Sequence, residues 1–401
     1  MSLDHKAAAE PARRLLAQLV RSRWTAERLD EGLLAAVRPM DFFQALRLHG
    51  LAGLMELRHR QQMLQLPQDL YAQVAEIRRR GTFQALQQAG ACLEVAGALE
   101  QSGIPVLPLK GVALSWLLYR DIGARQSGDI DMMVDTDHVL PAIEIILRLG
   151  YSPATSLPQR SLHWREWMRS VHHINFVHPR GLYLELHWRT DPLKGTSLPR
   201  LASLLPQLGR IDEGPLRGLR QLPAVLQQRS LASHACRSRC MRWKWGYDLL
   251  EIVSVQQGGA SPWRSGLALE QDSYTRHTLA VMAAQLEADS GPRPLSVRLT
   301  SRAATVEQRE WMSNKPDGRQ RTFVDGLLLH AGACAALAGW PERWEYFRWV
   351  VTRTSPEVGE HAYSLAAHAP WLAPLLRILP PLRRVGRRLA KPWRGRGTRI
   401  P

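Results

Sequence analysis

The sequence predicts an α+β fold in which a small mixed β-sheet lies between helical N- and C-terminal regions. Apolar residues recur at helical spacing before position 102 and after position 198, and short apolar or alternating runs typical of strands lie between them. With 45% hydrophobic residues and 14 Trp among 401 residues, the chain can build real cores, so a wholly disordered chain is excluded. A total of 4 Cys excludes a disulfide scaffold.

Residues 1–102 form the first predicted segment, a helical N-terminal region. Asp41 and Gln44 have capping-box spacing and predict the start of one helix through DFFQALRLHGLAGLMELRHRQ. From Gln68 onward, apolar residues return at helical spacing as far as Gly103, which we expect to end a second helix.

Residues 103–192 form a predicted βαβαββ module. The apolar run IPVLPL ends at Lys110-Gly111 and is followed by the helix-like VALSWLLYRDIG. DIDMMVD alternates acidic and apolar residues, as strands do, and Asp137 is predicted to cap a helix that ends near Gly150. The runs VHHINFV and LYLELHW flank the turn-rich HPRG, which predicts a β-hairpin.

Residues 193–376 return to helical patterns. The segment LQQRSLASHACRSRCMRWKWGYDLLEIVS presents a helical apolar face, and Gly326–Trp340 is too short for a membrane span, so it predicts a buried helix. Further helices are predicted over 265–290, 302–312, 321–339 and 355–376.

The net charge of +17 is unevenly distributed, because residues 377–401 carry +9 of it and contain no acid. This tail is predicted to be disordered and to bind an anionic partner such as nucleic acid, lipid or an acidic protein, unless its arginines reflect solubility or coding bias. The N-terminus shows no export signal, so we expect a cytoplasmic protein, without a transmembrane segment, whose thiols are reduced.

Two carboxylates dominate the candidate site. Asp129 and Asp131 alternate with apolar residues, so both should face one side of a strand. Paired carboxylates suit Mg²⁺ or Mn²⁺, although a solvated acidic strand edge would show the same short pattern. If LYLELHW lies beside this strand, Glu185 becomes a third ligand, and three carboxylates can hold two cations for phosphoryl or nucleotidyl displacement.

The turn at Lys110-Gly111 is the candidate phosphate site. A glycine where a strand becomes a helix lets backbone N–H groups approach a phosphate, and a helix N-terminus favours negative charge. Lys110 could contact a triphosphate or stabilise the turn. Arg125 could pair with phosphate oxygens or form a salt bridge to the acidic strand.

The residues from Leu107 to Tyr151 resemble the nucleotidyltransferase superfamily that includes DNA polymerase beta, and more narrowly a bacterial family of uncharacterised nucleotidyltransferases. The resemblance extends over roughly 104–255. It is carried by an ordered set of motifs: Leu109-Lys110-Gly111, Tyr119, Arg125, Asp129-Ile130-Asp131, Glu185-Leu186-His187-Trp188, His234, Trp243, Trp245 and Asp248.

This resemblance implies a nucleotidyltransferase core that moves a nucleoside monophosphate from an NTP such as ATP to an acceptor, with Mg²⁺ or Mn²⁺ as cofactor. Asp129, Asp131 and Glu185 would be the catalytic metal ligands. The usual Gly-Gly or Gly-Ser is replaced by Gly111-Val112, so nucleotide binding would rest on Lys110, backbone N–H groups and Arg125. The acceptor would be a small molecule, a peptide or a protein.

Several assignments stay open at this stage. His187 could orient a carboxylate or act as a base, or it could be a packed strand histidine. Asp248 could reach back to the site, cap its helix or form a local salt bridge. The other histidines lack thiolate partners and regular spacing, which argues against zinc. The alternative function is a catalytically silent nucleotide- or RNA-binding module, and a polynucleotide acceptor is a third possibility.

Overall fold

A computed structural model describes residues 3–23, 29–155, 171–191, 198–256, 272–286, 294–312 and 340–352, with isolated positions between them. The predicted helices 321–339 and 355–376 lie wholly or largely outside these residues, as does the basic tail 377–401. The tail's disorder and its anionic partner therefore stay predictions, as do the four segment boundaries and the cytoplasmic location.

The N-terminal region is helical, as predicted. The predicted single helix from Asp41 is wrong, because Gly50 adopts φ 67° and ends one helix before the next begins. Asp41 lies within the first turn and pairs with Arg38 instead of capping the helix. The helices are α1 (Leu3–Arg21), α2 (Glu31–Ala36), α3 (Pro39–His49), α4 (Ala52–Arg60) and α5 (Gln68–Gln101).

The middle of the chain forms a mixed five-stranded sheet, which confirms the α+β prediction. Its strands run in the order β1-β2-β5-β4-β3, and all neighbours are antiparallel except β2 and β5, which are parallel. The elements are β1 (Leu107–Pro108), α6 (Gly111–Tyr119), β2 (Ile130–Met133), α7 (Val139–Arg148), β3 (Ser152–Pro153), β4 (His173–Val177) and β5 (Tyr183–His187).

The turn before α7 differs from its prediction. Asp135, not Asp137, caps a short 3-10 turn over Thr136–His138, from which α7 continues. Asp137 is free to pair with Arg200, and Asp135 accepts a hydrogen bond from the same guanidinium. The helical conformation therefore begins with a 3-10 turn at Thr136, two residues earlier than predicted, and α7 itself begins at Val139.

The C-terminal region adds a two-stranded ribbon and further helices. The predicted helical run through Leu226 and Leu250 is divided in two, because Arg239 and Cys240 adopt φ of 55° and 53°. The elements are α8 (Leu201–Leu204), β6 (Gly209–Arg210), β7 (Arg220–Gln221), α9 (Ala224–Arg237), α10 (Trp243–Gln256), α11 (Ser273–Gln285), α12 (Leu295–Met312) and α13 (Trp340–Thr352).

Two large apolar cores hold the candidate site in place. Ile130 and Met132 of β2 pack with residues of α5 and α7 on one side of the sheet. Trp243 and Tyr247 of α10 pack among the N-terminal helices, so regions distant in sequence share a core. Across the described residues, every helix is too short or too polar to span a lipid bilayer. None of the four cysteines is paired in a disulfide in the structure.

Candidate active site

Strand pairing brings the three predicted carboxylates together. Asp131 lies directly opposite Glu185 in the parallel pair. Asp129 was predicted within the same strand, but it immediately precedes β2 and lines the same cleft. All three line a cleft of about 620 Å³, a volume typical of ligand sites. The Asp131 side chain is 4% exposed and the Glu185 side chain is 26% exposed, so Glu185 is the more accessible of the two.

Two basic side chains contact these acids. The Nζ of Lys110 lies 3.4 Å from Oδ1 of Asp131. The Nε2 of His187 lies 3.1 Å from that oxygen and 3.2 Å from Oε2 of Glu185. His187 therefore contacts both carboxylates. Of the roles left open by the sequence, this contact favours orienting a carboxylate over simple packing in the strand.

The surroundings shift the pKa values of the three carboxyl groups in opposite directions. Burial raises the pKa of Asp129, and the charges of Asp131 and Glu185 raise it further. Burial also opposes ionisation of Asp131, but Lys110 and the His187 hydrogen bond hold the pKa of Asp131 well below its usual range. Burial alone would raise the pKa of Glu185, but the His187 hydrogen bond and the charge of His173 lower it. The cleft thus holds three acids side by side, two of them kept ionised by the basic groups that contact them.

Helices α9 and α10 supply basic side chains that the sequence did not assign to the site. Of these, Lys244 donates a hydrogen bond from Nζ to the carbonyl oxygen of Gln126 at 2.8 Å. Burial, together with Arg125 and Arg242, lowers the pKa of Lys244 to about 7. Burial and Lys110 hold the pKa of His234 well below its usual range, so its imidazole is neutral. Arg237 and Arg242 also line the cleft.

Arg125 and Asp248 form a buried ion pair behind the cleft. The Nε of Arg125 donates to Oδ2 of Asp248 at 2.7 Å, and the Tyr119 hydroxyl donates to Oδ1 at 2.8 Å. Burial opposes the charge on Arg125, but the carboxylate outweighs burial and raises the pKa of Arg125. Arg125 therefore forms a salt bridge with Asp248 of α10 and not with the acidic strand, as one alternative had it. Asp248, through this pair, lies next to the site. The contact ties the loop before Asp129 to that helix.

Gly111 begins α6 in a conformation that side chains disfavour. Its φ is 62°, and an added Cβ would lie 3.4 Å from the carbonyl oxygen of Asp129 and from Oγ of Ser127. No side chain caps α6, whose preceding residue is Lys110. The Ser127 hydroxyl donates to the Asp129 carbonyl at 3.0 Å. It thus lies beside Gly111, at the helix start where Val112 replaces the serine or glycine usual in the wider superfamily.

We expect Gly111→Ala to lower the free energy of unfolding by about 1–2 kcal/mol, the cost of a left-handed conformation for a residue with a Cβ. Gly90→Ala in α5 is the matched control, since its added methyl meets nothing within 4 Å. That change should stabilise the helix by about 0.5–1 kcal/mol. Urea unfolding measures both, and equal stability of Gly111→Ala and the original chain would contradict the strain argument.

The donor set fits a divalent metal. Asp131, Glu185 and His187 each offer a ligand atom, and these atoms lie within 4.8 Å of one another. A second group meeting the same criterion consists of His172, His173 and His187, which sequence spacing could not reveal because β4 and β5 bring them together. Carboxylates on rigid neighbouring strands are suitable ligands for Mg²⁺ or Mn²⁺.

A family model described as uncharacterised nucleotidyltransferase matches residues 36–268, which is more than half of the chain. The chain therefore belongs to this family, and the narrower of the two resemblances is confirmed. No curated protein and no solved structure matches it. Membership indicates nucleotidyl transfer, with an NTP and a divalent metal, as the family's general chemistry. Bacterial origin and placement in the wider superfamily stay predictions.

Proposed function

We propose that this protein is a divalent-metal-dependent nucleotidyltransferase that moves an NMP group from an NTP to an acceptor nucleophile and releases pyrophosphate. One observation carries the proposal: the parallel pairing of β2 with β5 sets Asp131 opposite Glu185, in the cleft that Asp129 also lines. These carboxylates lie in a cleft with basic walls, in a chain of a nucleotidyltransferase family.

Each carboxylate has a distinct place in this proposal. Asp129, Asp131 and Glu185 are the metal ligands, and bound Mg²⁺ or Mn²⁺ would supply charge neutralisation at the phosphates. Glu185, the more exposed acid, also receives the proton of the acceptor hydroxyl. The acceptor oxygen then bonds to the α-phosphorus, while the bond from that phosphorus to the bridging oxygen of the β-phosphate breaks. Pyrophosphate leaves with the bonding electrons.

Basic groups at the cleft are suited to the triphosphate. Lys110 and the uncapped N-terminus of α6 present cationic and N–H groups beside the acidic strand. Lys244, Arg237 and Arg242 add positive charge from the helical side. Arg125 was expected to bind phosphate directly, but its guanidinium is engaged by Asp248. We therefore assign Arg125 and Asp248 to positioning the loop that carries Asp129.

We expect Lys110→Gln to weaken NTP binding by about 10–100-fold, because a hydrogen bond to a charged group contributes about 1.5–3 kcal/mol. Arg79→Gln is the control, since it removes one positive charge from the exposed surface of α5. Isothermal calorimetry with NTP and Mn²⁺ measures both changes. Equal losses in the two variants would show that net charge, rather than a contact by Lys110, governs affinity.

The proposal is tested by combining binding with turnover. Calorimetry with the four NTPs, with and without Mg²⁺ or Mn²⁺, identifies the nucleotide, and pyrophosphate release in the presence of candidate acceptors measures transfer. Mass spectrometry should then show an acceptor heavier by one NMP. Metal-dependent binding without pyrophosphate release, across small-molecule, peptide, protein and RNA acceptors, would favour the catalytically silent module instead.

A further inference from the structure

The His187 imidazole is oriented as a ligand. Its Nε2 lies 3.1 Å from Oδ1 of Asp131 and 3.2 Å from Oε2 of Glu185. Oxygen and nitrogen donors bound at about 2.0–2.2 Å to one metal ion are themselves separated by roughly 3 Å. The side chain is 4% exposed and belongs to strand β5, so little rearrangement is needed for a shared ion.

The second ring nitrogen has the partner that metal-bound histidines usually have. Nδ1 of His187 lies 3.4 Å from the carbonyl oxygen of Arg189. When a metal ion displaces the proton from Nε2, the remaining proton on Nδ1 faces that carbonyl, and the Nε2 lone pair faces the two carboxylates. Three donor atoms then converge on one point, where a metal ion can replace the proton that Nε2 otherwise shares with the two carboxylates.

We propose that Asp131, Glu185 and Nε2 of His187 form a mixed oxygen–nitrogen site that binds a first-row transition-metal ion, Mn²⁺ among them, in preference to Mg²⁺. The inference rests on the proposed function and specifies the metal of the same site. Imidazole is a good ligand for transition metals, whereas Mg²⁺ strongly prefers oxygen. A nitrogen donor beside two carboxylates therefore selects against Mg²⁺.

The neighbouring histidines give a natural comparison. His173 lies opposite His187 in the β4–β5 pair, but its Nε2 is 3.9 Å from Oε1 of Glu185 and its Nδ1 lies 3.0 Å from His172. A guanidinium nitrogen of Arg237 lies 3.3 Å from Nε2 of His172, which would repel a cation bound to the three histidines. Lys110 lies 3.4 Å from Asp131 in the mixed site, but two carboxylates offset its charge there, whereas the three histidines supply no negative charge, so the mixed site is the better of the two.

Pulsed electron paramagnetic resonance on the full chain with bound Mn²⁺ tests this assignment. Nitrogen bonded to Mn²⁺ gives a ¹⁴N modulation, which ¹⁵N-histidine labelling converts to a ¹⁵N modulation. We expect both signals in the original chain, their loss in His187→Leu and their persistence in His173→Leu. We also expect His187→Leu to weaken Mn²⁺ binding by about tenfold or more, since even outer partners of metal sites matter by about 10–100-fold. Mg²⁺ binding, measured by competition, should change less.

Each other outcome is informative. Bound Mn²⁺ without histidine modulation in the original chain would overturn the His187 assignment but leave the carboxylate site intact. Loss of the signal in His173→Leu, with retention in His187→Leu, would transfer the ligand role to His173. Failure to bind either Mn²⁺ or Mg²⁺, even with NTP present, would instead overturn the metal dependence in the proposed function. The labelled original chain decides the first question even if a variant fails to fold.

Discussion

Asp131→Asn should reduce NTP turnover by more than about 100-fold while the protein stays folded. The change keeps the side-chain shape but removes the charge at the point where Lys110 and His187 converge. Loss of outer partners of metal sites typically lowers affinity or activity by about 10–100-fold, so loss of a direct ligand should exceed that range. Steady-state pyrophosphate release at saturating metal and NTP measures the effect.

Asp137→Asn is the matched control for this prediction. It makes the same chemical change close by in sequence, but the Asp137 side chain is 80% exposed and pairs with Arg200 outside the cleft. Its turnover should stay within about twofold of the original, because surface ion pairs contribute little. Undiminished turnover in Asp131→Asn would contradict the assignment of Asp131 as a metal ligand.

Arg125→Met should produce the largest loss of stability, about 3–5 kcal/mol in the free energy of unfolding. Removing one partner of a buried ion pair leaves the other charge without compensation. Asp248 is completely buried. Without Arg125, its negative charge would be stabilised by the hydrogen bond from Tyr119 but by no paired guanidinium. Urea denaturation followed by tryptophan fluorescence and circular dichroism measures the change.

Two further variants separate charge from packing. Tyr119→Phe removes the other hydrogen bond to Asp248 and should cost about 1.5–3 kcal/mol, because the acceptor is a charged carboxylate. Arg125→Met combined with Asp248→Leu removes both charges and should recover a large part of the stability lost in Arg125→Met. If Arg125→Met alone lowers the free energy of unfolding by less than about 1 kcal/mol, the ion pair does not hold the loop before Asp129.

Strand alternation and turn signals predicted the part of the site that lies within the sheet. The period-2 pattern placed Asp129 and Asp131 on one face, and the hairpin signal correctly paired β4 with β5. The position of Glu185 depended on strand register, which a one-residue slip would have reversed. The structure has the required register, with Asp131 opposite Glu185.

The helical half of the cleft could not be derived in the same way. Lys244 and Arg237 reach the cleft because α9 and α10 turn at Arg239 and Cys240, where positive φ interrupts a continuous helical pattern. Apolar periodicity indicated a face but not this break. The partnership of Arg125 with Asp248 joins residues distant in the chain, and no local spacing encodes it. The same limit hid Gly50, whose left-handed conformation divides the predicted helix from Asp41.

The most direct test of the central claim follows the bond that breaks, and it needs no knowledge of the acceptor. Water can replace the acceptor slowly, so the protein incubated with NTP and Mn²⁺ in H₂¹⁸O should yield NMP and pyrophosphate, with ¹⁸O in the NMP. The products should disappear in Asp131→Asn. Formation of NDP and phosphate with ¹⁸O in the phosphate would contradict the account, because attack would then occur at the γ-phosphorus.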